Sequence, residues 1–116
     1  MLLDTSVIVE MMRYRRPYQY ASVSSITVVE IVRAFKTESE MVESMNFMRR
    51  MFYVYEIDDE VILSYSKLYQ ALKENKQKMA DADLIIAATS LAKNEVLYTK
   101  DHDFEAVEKL VNVKIE

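Results

Sequence analysis

The sequence predicts a parallel α/β sheet with helices on both faces, on three observations. Strand-like and helix-like segments alternate along the chain, the first strand is an apolar run without polar alternation, and the intervening helices are amphipathic. A sheet of about four to five short strands follows. The length of 116 residues, 51% of them hydrophobic, suits one domain with a single core, expected to span residues 1–116.

Leu2 and Leu3 are too few to make a strand alone and suit the buried centre of a parallel sheet. Asp4 follows at the strand's carboxyl end, where ligands of open α/β sheets collect. Thr5 and Ser6 offer hydroxyls to cap the next helix. Val7, Ile8, Met11 and Met12 give that helix its apolar side, and Arg15, Arg16 and Pro17 end it. Residues 21–25 read as a second strand. Ile26 and Thr27 then turn the chain into a helix over 28–35, striped by Val28, Ile31, Val32 and Phe35, with Glu30 off the stripe.

Thr37-Glu38-Ser39-Glu40 is a capping-box pattern opening a helix with Met41, Met45, Met48 and Phe52 on one side. Residues 53–57 alternate as a third strand. Asp58, Asp59 and Glu60 start the next helix, where negative charge suits the positive end of the dipole. Val61, Tyr65, Leu68, Tyr69 and Leu72 form its expected buried face. A basic connection over 73–79 leads through Ala80-Asp81-Ala82-Asp83 into a nearly all-apolar helix, which should lie buried against the sheet. Asp83 stands at its first turn, on the side of Ser90 and Lys93. Asn94 replaces glycine as a left-handed cap. Residues 95–99 form the fourth strand, with Lys100-Asp101-His102-Asp103 at its carboxyl end. A helix over 104–110 and a strand over 111–115 complete the pattern.

Composition excludes several chemistries. Cysteine is absent and His102 is the only histidine, which removes disulfides, thiolate zinc sites and histidine-rich metal centres. Glycine, on average about 7% of residues, is also absent, which removes glycine-rich phosphate loops. A net charge of −4 argues against coating nucleic acid through bulk charge, though Arg13, Arg15 and Arg16, and Lys73, Lys76 and Lys78, form two basic clusters. No apolar run reaches bilayer length and no secretory signal is visible, so no membrane association and a cytoplasmic location are expected.

The first and fourth strands deliver carboxylates to the same sheet edge: Asp4 from one, Asp101 or Asp103 from the other. Glu30 and Asp83 are added near the starts of two helices. Acids this close repel one another unless a cation joins them. Ligands that are all oxygen point to Mg²⁺ or Mn²⁺ rather than zinc.

Leu3-Asp4-Thr5-Ser6-Val7-Ile8, Ser24-Ser25-Ile26-Thr27-Val28-Val29-Glu30, Ala82-Asp83-Leu84-Ile85-Ile86-Ala87-Ala88 and Tyr98-Thr99-Lys100-Asp101-His102-Asp103-Phe104 together resemble the four motifs of PIN-domain ribonucleases. They are similar in particular to the VapC-type toxins of toxin/antitoxin pairs, from Leu2 to about Leu110. The resemblance implies a PIN-like nuclease domain whose acids bind Mg²⁺ or Mn²⁺ and hydrolyse RNA endonucleolytically. Asp4, Glu30 and Asp83 then match the three core acids and Asp101 the fourth, with Asp103, directly before Phe104, the other candidate. Asp4, Asp83 and Asp101 are the implied metal ligands, and Ser6 and Thr99 match hydroxyl residues that support the acids. A homodimer and a VapB-type antitoxin are the implied protein partners, the antitoxin placing a basic side chain among the acids. Met11, Met12, Tyr14, Tyr18 and Tyr20 are the residues expected to contribute to such a contact. Met79 and Asn94 stand where VapC-type chains usually have glycine, and little chain separates the first two motifs; both departures bear on the groove and dimer contacts more than on the acids.

Two other readings fit parts of the pattern. One keeps the PIN fold as a catalytically inactive binding scaffold. The other is a receiver-like phosphoacceptor domain, with Asp58 or Asp59 as acceptor and Thr99-Lys100 as the later hydroxyl and lysine.

Overall fold

The computed structural model describes residues 1–14 and 20–116. In chain order its elements are β1 (Leu2–Leu3), α1 (Thr5–Tyr14), β2 (Ser22–Ser24), α2 (Ser25–Val32), α3 (Glu38–Met51), β3 (Tyr53–Tyr55), α4 (Asp59–Glu74), α5 (Asp81–Lys93), β4 (Leu97–Thr99), a 3₁₀ helix η1 (His102–Val107) and β5 (Val113–Ile115). The five strands make one sheet in the order β3-β2-β1-β4-β5, and every pairing is parallel.

The register explains the two cores. Leu2 pairs with Leu97 and Leu3 with Tyr98, and successive strand residues point to opposite faces. Leu2 and Leu97 therefore join Val61, Leu68, Leu72, Leu84, Ile86 and Phe104 from α4, α5 and η1. Leu3 joins Val7, Ile8, Met11, Val23, Ile31 and Met48, with helices α1, α2 and α3 covering the other face.

Strands β2 to β5 are shorter than the sequence patterns suggest, and after β2 a side-chain cap starts the next helix early. Ser24 accepts the Ile26 N–H at 3.2 Å, so α2 starts at Ser25 rather than Val28. It loses regular geometry after Val32, where Ala34 and Phe35 bond only three residues back. Asp101 accepts the Asp103 N–H at 2.8 Å and starts a 3₁₀ helix at His102, in place of the expected α-helix over 104–110. In α3 the buried pair is Ser44 and Met48, so Met45 turns outward. In α4 the inward face is Val61, Leu68 and Leu72, and Tyr69 is exposed. On α1, Met11 is buried one turn beyond Val7 and Ile8, whereas Met12 faces out. The expected helix stop at Arg15, Arg16 and Pro17 lies outside the described residues.

Two helix ends use left-handed backbone without glycine. Asn94 has φ 55° and closes α5, with Glu95 N–H bonding Ser90 O at 3.0 Å. Lys76 has φ 55° after α4, with Gln77 N–H on Leu72 O at 2.8 Å and its own N–H on Lys73 O at 3.1 Å, the two bonds of a Schellman closure. A lysine there carries a backbone cost of roughly 1–3 kcal/mol that glycine would not.

Candidate functional site

The strand order reverses between β1 and β4: the chain steps outward from β1 through β2 to β3, then returns to β4 on the other side. Crevices outside the carboxyl ends of strands at such a reversal are where open α/β sheets hold ligands. Asp4 leaves β1 and Thr99-Lys100-Asp101 leave β4 at this point.

Asp4 is only 3% exposed. The Ser6 and Thr99 hydroxyls both donate to its Oδ2, each at 2.7 Å. Those hydroxyls are oriented in turn by backbone donors, since the Lys100 N–H bonds Ser6 Oγ at 3.1 Å and the Asp101 N–H bonds Thr99 Oγ1 at 3.0 Å. A buried carboxylate satisfied in this way keeps one orientation. Among the described residues no hydrogen bond ends on its other oxygen, Oδ1.

Glu30 comes from α2. The Thr5 hydroxyl donates to its Oε1 at 2.7 Å, with Thr27 Oγ1 3.2 Å from that hydroxyl, and Arg33 Nη2 lies 3.6 Å from Oε2. Thr5 sits directly after Asp4, so one strand end orients both acids. From sequence Thr5 reads as a helix cap and Thr27 as part of the turn into a helix; the spacing of Thr27 to Glu30, three residues on one helix face, is the signal for their place beside the acid.

Asp83 is on the first turn of α5, and carboxylate oxygens of Asp83, Asp101 and Asp103 all lie within 4.8 Å of one another. Burial, and then the charges of Asp4, Asp101, Glu30 and Asp103, push the Asp83 carboxyl up to about 6. All five acids considered from sequence are therefore brought together, Asp103 included. Among the described residues no lysine or arginine pairs with Asp4, Asp83, Asp101 or Asp103.

The remaining polar residues are engaged elsewhere. Lys93 reaches Asp58 and Glu60, about 15 Å of helix away from Asp83. Asp58 also caps α4 through the Val61 N–H at 3.0 Å, as the sequence suggested. His102 pairs with Glu105 at 2.6 Å on the exposed side of η1, and that bond raises its pKa. A receiver domain has strand order 2-1-3-4-5; the order here differs, and Asp58 is held in an ion pair.

The sequence profile described as the PIN domain matches residues 1–110. The chain belongs to the PIN-domain family. Within that family it resembles the VapC type. It is 36% identical over 102 residues to Ribonuclease VapC1 of Methanocaldococcus jannaschii, which covers 86% of this chain and 74% of that relative. Among solved structures it is similar to VapBC-1 from nontypeable Haemophilus influenzae, with a TM-score of 0.83 and 21% identity over 98% of this chain and 96% of the other. It is similar also to VapBC-5, a toxin-antitoxin system of Mycobacterium tuberculosis, with a TM-score of 0.75 and 23% identity over 98% and 94% of the two chains. At such identities the structural likeness speaks for the PIN fold. No helix among the described residues is long and apolar enough to cross a membrane.

Proposed function

We propose that this chain, acting as one nuclease domain over residues 1–116, is a metal-dependent endoribonuclease and the toxin of a toxin/antitoxin pair. The observation that carries the reading is the gathering of Asp4, Glu30, Asp83, Asp101 and Asp103 at the strand reversal with four of the five lacking a cationic partner among the described residues. Similarity to Ribonuclease VapC1 supports RNA as substrate.

The donor set fits a hard divalent ion: carboxylate oxygens only, with Asp83, Asp101 and Asp103 within 4.8 Å. Asp83 with Asp101 or Asp103, and Asp4 through Oδ1, would hold Mg²⁺ or Mn²⁺ directly or through water. When bound, such an ion lowers the pKa of a coordinated water from 15.7 towards ~7 and offsets charge on phosphoryl oxygens. Ser6 and Thr99 keep Asp4 in a single orientation. Thr5 does the same for Glu30, and Glu30 or Asp83 would orient the attacking water. In the metal-free site burial and then the neighbouring acids raise the Asp83 carboxyl to about 6, a repulsion that a bound cation would relieve.

The partner reading has a physical basis in the same acids and in a groove on the α1–α2–α3 side. A basic side chain would neutralise the pocket much as an ion does. Met12, Ile31, Phe35 and Phe47, with Glu40 and Arg50, line a groove of about 290 Å³, which suits an amphipathic segment of a VapB-type antitoxin. Met11, expected there, is core instead, and Tyr18 lies outside the described residues. Tyr14 and Tyr20 are exposed and suit a homodimer contact.

Purified chain incubated with mixed cellular RNA and Mn²⁺ or Mg²⁺ should cleave it internally, and chelation or Asp4→Asn should stop cleavage. An absence of metal-dependent cleavage by the wild type would leave the scaffold reading in its place.

A further inference from the structure

The lysines that the acid cluster leaves unused gather at a second place. Lys73, Lys76 and Lys78 line a cavity of about 460 Å³ at the turn between α4 and α5, together with Tyr69, Met79 and Leu84. All three lysines are exposed, and no acid among the described residues pairs with them. In a chain of net charge −4 this is a local positive field.

Three further observations give the place a shape. Lys76 occupies the left-handed position at φ 55°, and a charged residue held in unfavourable backbone geometry is a pointer to function. Tyr69 is stacked on Tyr65, with ring centroids 6.2 Å apart and planes 23° apart. Tyr65 is itself pinned by its hydroxyl, which donates to Asp81 Oδ1 at 2.7 Å. Tyr69 is nevertheless 47% exposed, so a flat aromatic surface stands ready beside the lysines. Tyr65, Tyr69 and Lys73 are four residues apart and share one face of α4.

The third observation is position. Leu84 lines the lysine cavity and Asp83, its neighbour on the first turn of α5, belongs to the acid cluster. Gln77 lines both the lysine cavity and an adjoining one of about 790 Å³ whose wall carries His102 and Asp103. Gln77 thus borders both the lysine cavity and the one that reaches Asp103, whose wall also carries Glu105, Glu108 and Lys109.

We propose that the lysine cavity is a subsite for single-stranded RNA, in which a base stacks on Tyr69 while Lys73, Lys76 and Lys78 bind phosphates of a strand that continues past Leu84 to the acids. The inference rests on the ribonuclease reading for the direction of the strand, and not for the binding itself. Phosphates match the lysines, and the aromatic face favours unpaired bases over an acidic peptide, because a stacking platform takes any base released from a duplex.

The test measures binding of a labelled single-stranded RNA by fluorescence anisotropy in EDTA, between about 50 and 200 mM salt. The variant is K73Q/K76G/K78Q, in which glycine adopts the backbone of position 76 freely, and its melting curve reports that it is folded. Three phosphate contacts at roughly 0.7 each should lower the slope of log Kd against log salt by about 2. Affinity at the low-salt end should fall about tenfold or more. Tyr69→Ala should weaken binding about fivefold or more with the slope unchanged. In cleavage by the metal-loaded protein, the triple variant should raise KM and keep kcat at saturating RNA. Wild-type Kd and slope in the triple variant would overturn the subsite even if the wild type cleaves RNA. Loss of binding in the variants of a chain that cleaves nothing would uphold the subsite and sink the ribonuclease reading.

Discussion

At the amino edge of the sheet, Glu95 receives the Met1 ammonium at 2.9 Å and the Ser22 hydroxyl at 2.7 Å. The Tyr55 hydroxyl also bonds it, and its pKa is pushed up to about 12 by that bond first and then by burial. At the carboxyl edge, Asp83 meets Asp4, Asp101, Glu30 and Asp103 and has no cationic partner among the described residues. Burial disfavours the charged form of both groups. At Glu95 burial is outweighed by Tyr55, the N-terminus and Ser22, and the carboxyl is held below its ordinary value. At Asp83 the neighbours add to burial, and the carboxyl rises to about 6. The same functional group thus serves stability at one edge and stores repulsion at the other. A fold that carries such repulsion does so where a ligand is to relieve it.

The contrast is broken most severely by removing an acid from the carboxyl edge. Asp4→Asn should lower cleavage by about 10³-fold or more, roughly 4 kcal/mol of barrier, whereas Glu95→Gln should leave kcat within a few-fold. Single-turnover cleavage of one RNA by both variants decides it, and comparable losses in the two would erase the distinction between edges.

Metal sharpens it next. At about 100 times its dissociation constant, Mn²⁺ should stabilise the folded wild type by about 2.7 kcal/mol, read as a rise in Tm. Glu95→Gln should keep that rise and Asp4→Asn should lose much of it. A full rise in Asp4→Asn would place the ion elsewhere.

Glu95→Gln should itself destabilise the protein by about 2 kcal/mol at neutral pH, because the Met1 ammonium loses its charged partner. The stability that wild-type Glu95 contributes is present above its ordinary pKa and is lost as pH falls through its lowered folded value. Urea denaturation at neutral and acidic pH measures both; a variant as stable as the wild type would show the N-terminal contact to be idle.

The smallest effect has the opposite sign. In metal-free protein, native Asp83 keeps its proton up to about 6, while the ordinary value is 3.8. Wild-type stability should therefore fall as pH rises from about 4 to 6, by about 1–2 kcal/mol after allowing for partial solvent screening. Asp83→Asn should flatten that decline and be the more stable protein at neutral pH. A decline of equal size in the variant would assign the titration to another acid.

Much of this was legible along the chain. Leu2-Leu3 running into Asp4, the alternation of strands and helices, the capping box at Thr37, the acids opening α4 and Asn94 as a glycine substitute are local matters of period, capping and backbone sterics, which neighbouring residues decide among themselves. The pairing of acids with strand ends was legible too, since parallel strands bring their carboxyl ends to one edge. Tertiary structure decided the rest. Strand order put the reversal between β1 and β4, and so brought the Ser6 and Thr99 hydroxyls onto one oxygen of Asp4. Packing of α4 and α5 left Tyr69 exposed and paired Lys93 with Asp58. Asp103 joined Asp83 and Asp101 because Asp101 caps a tight 3₁₀ turn that folds the next carboxylate back. These outcomes depend on contacts between residues up to 95 positions apart, and the geometry of such contacts is set by the packed sheet rather than by any local window of sequence.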